Sequence, residues 1–331
     1  MSAFDMITDL SIPSMICDIL HLSPPCQFFS PAHTVAGLND EENFAALYAC
    51  GLLLDRVKPR MGTLEQTVGL SQQKFRQEFN SLVLEFTKRG YSIRWKLCSL
   101  PKWGLPQRRT RLIMIFAGPG EKLPDFPPYT HADPTLGPLC GLKPFVTMNK
   151  AFSTIPLNHP LHNVTTVKQH NPPKPHYPGN QIAPRCITTS GGQNYHPTGT
   201  RNLTFAEFAV AQGFPLHHRF SERCITKQIG NAYAPNVAGL IFKHIRKCLR
   251  EADGLEPEEE EEKEVEVRGD GDFEELILVE DDAVEPPRKD SLVFMGVAKR
   301  SPRRNEARPL SIVDLSLDDD DGLREIIEVL D

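Results

Sequence analysis

Four apolar runs and two amphipathic stretches set the frame of the first 117 residues. The runs are Met15–Leu22, Met61–Val68, Tyr91–Leu97 and Leu112–Ala117, each short enough to be a strand. Between the first two, Asn39-Asp40-Glu41-Glu42 opens a helix, with Asn39 as its cap and the acids at its positive end, running to Val57 before Lys58-Pro59. Between the second and third, Ser71 caps a helix that reaches Lys88 and stops at Gly90. Strand, helix, strand, helix, strand predicts an α/β domain with a parallel sheet covered on both faces. The first run ends in Ser23-Pro24-Pro25-Cys26. A proline pair cannot continue a central strand. The Cys26 thiol is therefore presented at a strand's carboxyl end, where open α/β sheets place their chemistry.

From Gly118 to Thr200 helical periodicity vanishes, while Pro and His become frequent (His131, His159, His162, His170, His176, His196). This predicts a small irregular region with surface histidines and no metal. Thr204-Phe205-Ala206-Glu207 is a capping box for a short helix ending at Gly213, and Pro235 starts a final helix over Asn236–Arg250. The organisation expected is a catalytic α/β domain over 1–117, a small region over 118–200, a return to the first domain over 201–250, and an acidic disordered tail over 251–331.

Charge sharpens this division. Residues 1–250 carry 27 Lys and Arg against 15 Asp and Glu, whereas residues 251–331 carry 10 against 28. A basic body suits a polyanionic partner, and a Glu-rich, weakly apolar end suits a solvated tail. The eight cysteines stand singly with no C-x-x-C pair, which argues against zinc. No apolar run approaches the roughly 20 residues of a membrane span, and no secretory segment is evident. An intracellular, soluble protein is expected. Two islands interrupt the tail, Leu276-Ile277-Leu278-Val279 and Ile312-Val313-Asp314-Leu315, each followed by acids. Such a β-prone run can add to a partner's sheet edge, and the pair resembles SUMO-interacting motifs. Lys299-Arg300-Ser301-Pro302-Arg303-Arg304 reads as a nuclear import signal or a charged linker.

Four clusters follow Cys26: Glu65-Gln66-Thr67; Gln107-Arg108-Arg109-Thr110-Arg111; Arg201-Asn202-Leu203-Thr204 through Gln212-Gly213-Phe214-Pro215; and Gly230-Asn231-Ala232-Tyr233-Ala234-Pro235. In this order and spacing the chain resembles the DNA (cytosine-5)-methyltransferase family over about residues 4–250. Asp18 to Ser30 matches its Pro-Cys motif, and Glu65-Gln66-Thr67 takes the place of Glu-Asn-Val. The Gln-Thr variant looks like the fungal branch linked to repeat-induced silencing.

The resemblance implies a Rossmann-like class I methyltransferase fold with a mostly parallel sheet, its first strands missing, and a target-recognition region at 118–200. It implies a reaction in which the Cys26 thiolate adds to C6 of a flipped cytosine and a methyl group from S-adenosylmethionine enters at C5. Arg109 or Arg111 would favour the thiolate and hold the pyrimidine O2, and Glu65 would serve N3. Gln27, Ser30, Arg201 and Thr204 fall on DNA-contacting positions, and Asp5, Pro25, Asn231 and Tyr233 on donor-contacting ones. The family's opening strand and glycine-bearing turn have no match before Pro24. The expectation is an exposed apolar edge beside the first strand, marginal folding and poor donor binding. Three readings stay open: a DNA cytosine methyltransferase in a shortened form, an inactive DNA-binding scaffold that recruits SUMO or chromatin proteins to silenced DNA in the nucleus, and a tRNA cytosine methyltransferase.

Overall fold

The run Leu112–Ala117 is buried along its whole length, which only a strand covered on both faces achieves. The computed structural model describes residues 17–24, 29, 40–135, 141–189, 194–221, 223–255, 292–294 and 312–317. Its elements in chain order are β1 (Ile19–Ser23), α1 (Asp40–Val57), β2 (Met61–Gln66), α2 (Arg76–Thr87), β3 (Ser92–Ser99), β4 (Thr110–Ala117), β5 (His131–Ala132), β6 (Lys143–Pro144), α3 (Met148–Phe152), α4 (Phe205–Ala211), α5 (Ile225–Asn231), α6 (Pro235–Ala252), β7 (Leu292–Phe294) and β8 (Ile312–Leu317). The four expected strands of the first domain are present. The first begins at Ile19, since Cys17 and Asp18 are not part of the strand, and Met15 and Ile16 lie outside the described residues.

The main sheet has the order β3-β4-β2-β1-β8-β7. β1 is parallel to β2 and to β8, while β4 is antiparallel to both β2 and β3. Four of the six strands therefore run in one direction. The antiparallel step at β4 follows from the short link after β3, which leaves no room for a helical crossover.

Alternation along the strands assigns the two faces. Gly62 and Phe116 are paired across β2 and β4, and the Phe116 ring packs on Phe86 of α2. On the opposite face, His21 of β1 packs against Tyr233 and against Phe242 of α6. α2, beside α1, covers one side and α6 the other. In α6 the buried positions Val237, Ala238, Ile241, Ile245 and Leu249 form the stripe expected of an amphipathic helix. α2 starts later than Ser71 predicts. Thr67 caps a 3-10 turn over Val68–Ser71, Gln72 is extended, and the α-helix begins at Arg76.

A second core joins Met148, Ala183, Ile187 and Leu203 to Phe208, Ala209 and Ala211 of α4 and Ile229 of α5. The seam thus falls elsewhere than between residues 200 and 201. α4 and α5 pack with the irregular region, and only α6 returns to the first core.

The largest departure from the sequence reading is at β1. Its expected bare edge is covered. β8 lies parallel to it in the register Ile19↔Ile312 through Ser23↔Ser316, and β7 closes on β8 from outside. The island at Ile312–Leu315, expected to extend a partner's sheet, extends the chain's own, so the tail is not without structure throughout. The physical reason is that a buried strand's N–H and C=O groups must find partners. The Leu276–Val279 island lies outside the described residues. Among the described residues no helix is long and apolar enough to cross a membrane.

Leu315 pairs with Leu22 on one side and Phe294 on the other. Leu315→Pro removes a ladder donor whichever neighbour it serves. The expected loss is about 2–4 kcal/mol, a fall in Tm on the order of 5–10 °C by differential scanning calorimetry. An unchanged Tm would show that β1 does not depend on β8.

Candidate active site

β1 and β2 deliver their polar side chains in matched pairs. The register His21↔Thr63 places Ser23 beside Glu65 two residues further on, all four on one face of the sheet. All four are buried, Glu65 at 2 % exposure. Glu65 Oε1 lies 3.1 Å from Arg111 Nε, and Arg111 is itself 1 % exposed. The contact is an ion pair whose two atoms lack an aligned hydrogen bond. Glu65 Oε2 accepts from Ser23 Oγ at 3.4 Å, and Arg111 Nη1 donates to the Thr110 carbonyl at 2.8 Å. A carboxylate and a guanidinium this deep need each other, since an unpaired buried charge is strongly destabilising.

The residues after Glu65 hold the turn that leads to Cys26. Gln66 Nε2 donates to the Pro24 carbonyl at 2.8 Å. Gly69 sits so close to the Phe29 backbone that an added Cβ would fall 1.6 Å from its carbonyl oxygen. Pro24 and Phe29 are thus each held against residues at or just beyond the end of β2. Cys26, Pro25, Gln27, Ser30 and Asp5 lie outside the described residues.

Arg109 is buried and donates to the Ile187 carbonyl at 3.1 Å. It stands at the junction of the two cores, where Gln107 forms the lock. Gln107 Nε2 donates to the Ala211 carbonyl and to Gln212 Oε1, each at 2.8 Å, and Gln107 Oε1 accepts from the Ile187 amide at 2.7 Å. Gln212 continues the chain to the Ala232 carbonyl at 2.6 Å. The stretch Gly230 to Pro235 is thereby tied to the Arg-bearing strand. Gly230 also lies against the Thr188–Thr189 backbone, where a Cβ would meet Thr189 N at 2.4 Å.

Of the donor-contacting residues expected, Asn231 ends α5 half-buried and Tyr233 is buried, its ring stacked on His21 with centroids 5.1 Å apart. Arg201 and Thr204, expected to touch DNA, stand together at the start of α4. Thr204 is buried and completes the capping box of α4, and Arg201 grips Glu207 with two bonds of 2.7 Å. The sequence showed the box and not its closure by Arg201, which depends on the turn through Asn202 and Leu203. Burial works to raise the Glu207 carboxyl, but the hydrogen bonds from Arg201 and the Thr204 amide hold it below the usual glutamate value. Burial and the Arg201 charge push His196 below the ordinary histidine range, which keeps that imidazole neutral beside the pair. His21 and Ser23 went unremarked as chemistry in the sequence. Their signal was a pair of polar residues spaced by two inside a fully buried strand.

A folded-state Glu207 held below the unfolded value contributes stability above that value and loses it as pH falls through the folded one. Acid titration of Tm should show a flat region above pH 5 and a fall below about 4.5, the ordinary glutamate value. In Arg201→Gln that fall should be shallower. Equal slopes would remove the pair from the account.

The comparisons with known proteins agree on one family. Its profile, described as C-5 cytosine-specific DNA methylase, matches residues 3–132 and 143–247. Among similar proteins, the type II methyltransferase M.NgoFVII of Neisseria gonorrhoeae is 27% identical over 266 residues, covering 69% of this chain and 68% of its own. M.NgoMIV of the same species is 28% identical over 255 residues, covering 71% and 78%. A solved DNA modification methyltransferase encoded within an E. coli prophage shares the fold, with a TM-score of 0.52 at 17% identity, covering 75% of this chain and 82% of that one.

Proposed function

From the premise that this chain belongs to the C-5 cytosine-specific DNA methylase family, we propose that it transfers a methyl group from S-adenosylmethionine to C5 of a cytosine extruded from DNA. The observation that carries this reading is the buried Glu65–Arg111 pair beside Ser23 and Pro24, at the strand ends that lead directly into Cys26. Glu65 Oε1 has charge stabilisation without a hydrogen-bond donor. It retains the capacity to bond a polar base edge.

In this reading the Cys26 thiolate adds to C6 of the cytosine, and the ring becomes an enamine nucleophilic at C5; once C5 carries the methyl group, loss of its proton to a base expels the thiolate and restores the ring. Glu65 shares a proton with N3 and balances the charge that develops in the ring. Arg111 holds the carboxylate in place, and Arg109, at the seam between the cores, is the group for O2. Extruding the base is what lets a buried site reach it. S-adenosylmethionine would supply the methyl electrophile. The described donor set is an amide, Asn231, and a phenol ring, Tyr233, at the carboxyl end of the parallel strands, and this suits a sulfonium nucleoside. Asp5 and Pro25 complete the set.

The basic body of residues 1–250 supports binding to DNA phosphates. The basic cluster at 299–304 supports a nuclear location, and the Gln66-Thr67 variant supports a role in silencing. Docking to SUMO or chromatin proteins would fall to the Leu276–Val279 island, since Ile312–Leu315 is paired within the sheet.

Incubation with tritiated donor separates the readings. Transfer to DNA and not to tRNA is expected, with Cys26→Ser reducing it to background and Glu65→Gln lowering kcat by roughly 10²–10⁴-fold. A covalent adduct should form on DNA carrying 5-fluorocytosine, because fluorine cannot leave C5 as a proton does. DNA binding without transfer or adduct would move the reading to a scaffold.

A further inference from the structure

Inside β1 and β2 a line of side chains that the reaction above does not use leads to the Glu65 carboxylate. Thr63 Oγ1 is 2.6 Å from His21 Nδ1, His21 Nε2 is 3.1 Å from Ser23 Oγ, and Ser23 Oγ is 3.4 Å from Glu65 Oε2. Every member is buried, His21 at 0 % exposure. The directions follow from chemistry. An ionised Glu65 only accepts, so the Ser23 proton points to Oε2. The Ser23 oxygen must then accept, which requires His21 to carry its proton on Nε2. His21 Nδ1 is left to accept from the Thr63 hydroxyl. The imidazole plane is fixed by a face-to-face stack on Tyr233, with 9° between the rings, and an edge contact with Phe242 at 5.8 Å.

We propose that His21 is a positioning residue that acts through Ser23 on the Glu65 carboxylate. Arg111 holds Oε1 by charge, while Ser23, its rotor set by His21, holds Oε2. Two fixed oxygens orient the carboxylate plane towards the base, where one would leave it free to rotate. Because His21 also stacks on Tyr233, a residue of the donor set, it couples the two halves of the site through one ring. The inference rests on the methyltransferase reading for its kinetic consequence, but not for its structural content.

The test uses the full chain with His21→Phe, His21→Gln, Ser23→Ala and the double variant His21→Phe/Ser23→Ala. Ser23→Ala and His21→Phe should each lower kcat roughly 10- to 100-fold, the scale of a small misplacement of a catalytic group. KM for DNA should stay within about twofold. The double variant should be little worse than the poorer single one, because His21 reaches the Glu65 carboxylate through Ser23. His21→Gln, whose side-chain amide can replace the Nε2 donor, should recover most of the loss. A readout without substrate runs beside this one. In protein labelled at glutamate ¹³Cδ, the resonance absent from Glu65→Gln should shift in Ser23→Ala and in His21→Phe but not in His21→Gln. Losses that multiply in the double variant, or a Glu65 resonance indifferent to His21, would overturn the proposal. A wild-type chain without transfer activity but with the expected resonance shifts would overturn the methyltransferase reading and leave the His21 link standing.

Discussion

A carboxylate and a guanidinium buried side by side, Glu65 and Arg111, are the constraint around which the rest is arranged. Either one alone at that depth would be strongly destabilising. Together they are tolerable, provided that the strands carrying them stay in register. β2 and β4 pair antiparallel from Met61↔Ala117 to Gln66↔Leu112, and this ladder carries Arg111 past its end to the Glu65 side chain. A slip by one residue would turn both groups to opposite faces. The helices on the two sides, with Phe86 against Phe116 on one and Phe242 near His21 on the other, make the site water-poor. In such a place charge and proton position carry more free energy than at a surface.

The second constraint is the joint between the cores. Gln107 reaches Ala211, Gln212 and Ile187, and Gln212 reaches Ala232. These bonds bring Arg109, the irregular region and the Asn231–Tyr233 turn to one place, although Arg109 and that turn are more than a hundred residues apart in the chain. Glycine serves the same purpose at Gly69 and Gly230, where backbones approach too closely for any side chain.

The sheet also shows how a buried strand finds its neighbour. β1, buried at every residue, takes β8 as its neighbour from the acidic tail. The pairing is parallel, as a central position in such a sheet demands, and β7 shields β8 in turn. The apolar island with acids behind it is suited to any edge that offers free backbone groups, and here the nearest edge is its own.

Much of this was legible in the amino-acid order. Periodicity gave the strands of the first domain and the long helices, the proline pair marked the end of β1, and the capping box at Thr204 gave the start of α4. The order of Cys26, Glu65, Arg109 and Arg111 with the Gly-Asn-Ala turn pointed to the family. These are local signals or fixed spacings, and each depends on residues near one another in sequence. What the chain alone did not reveal is which groups meet across it: Arg201 with Glu207, His21 through Ser23 to Glu65, α4 and α5 in the second core, and β8 on the edge of β1. Those choices are settled by burial. A polar group or strand edge shut away from water must find a partner, and only the assembled fold determines which one lies within reach.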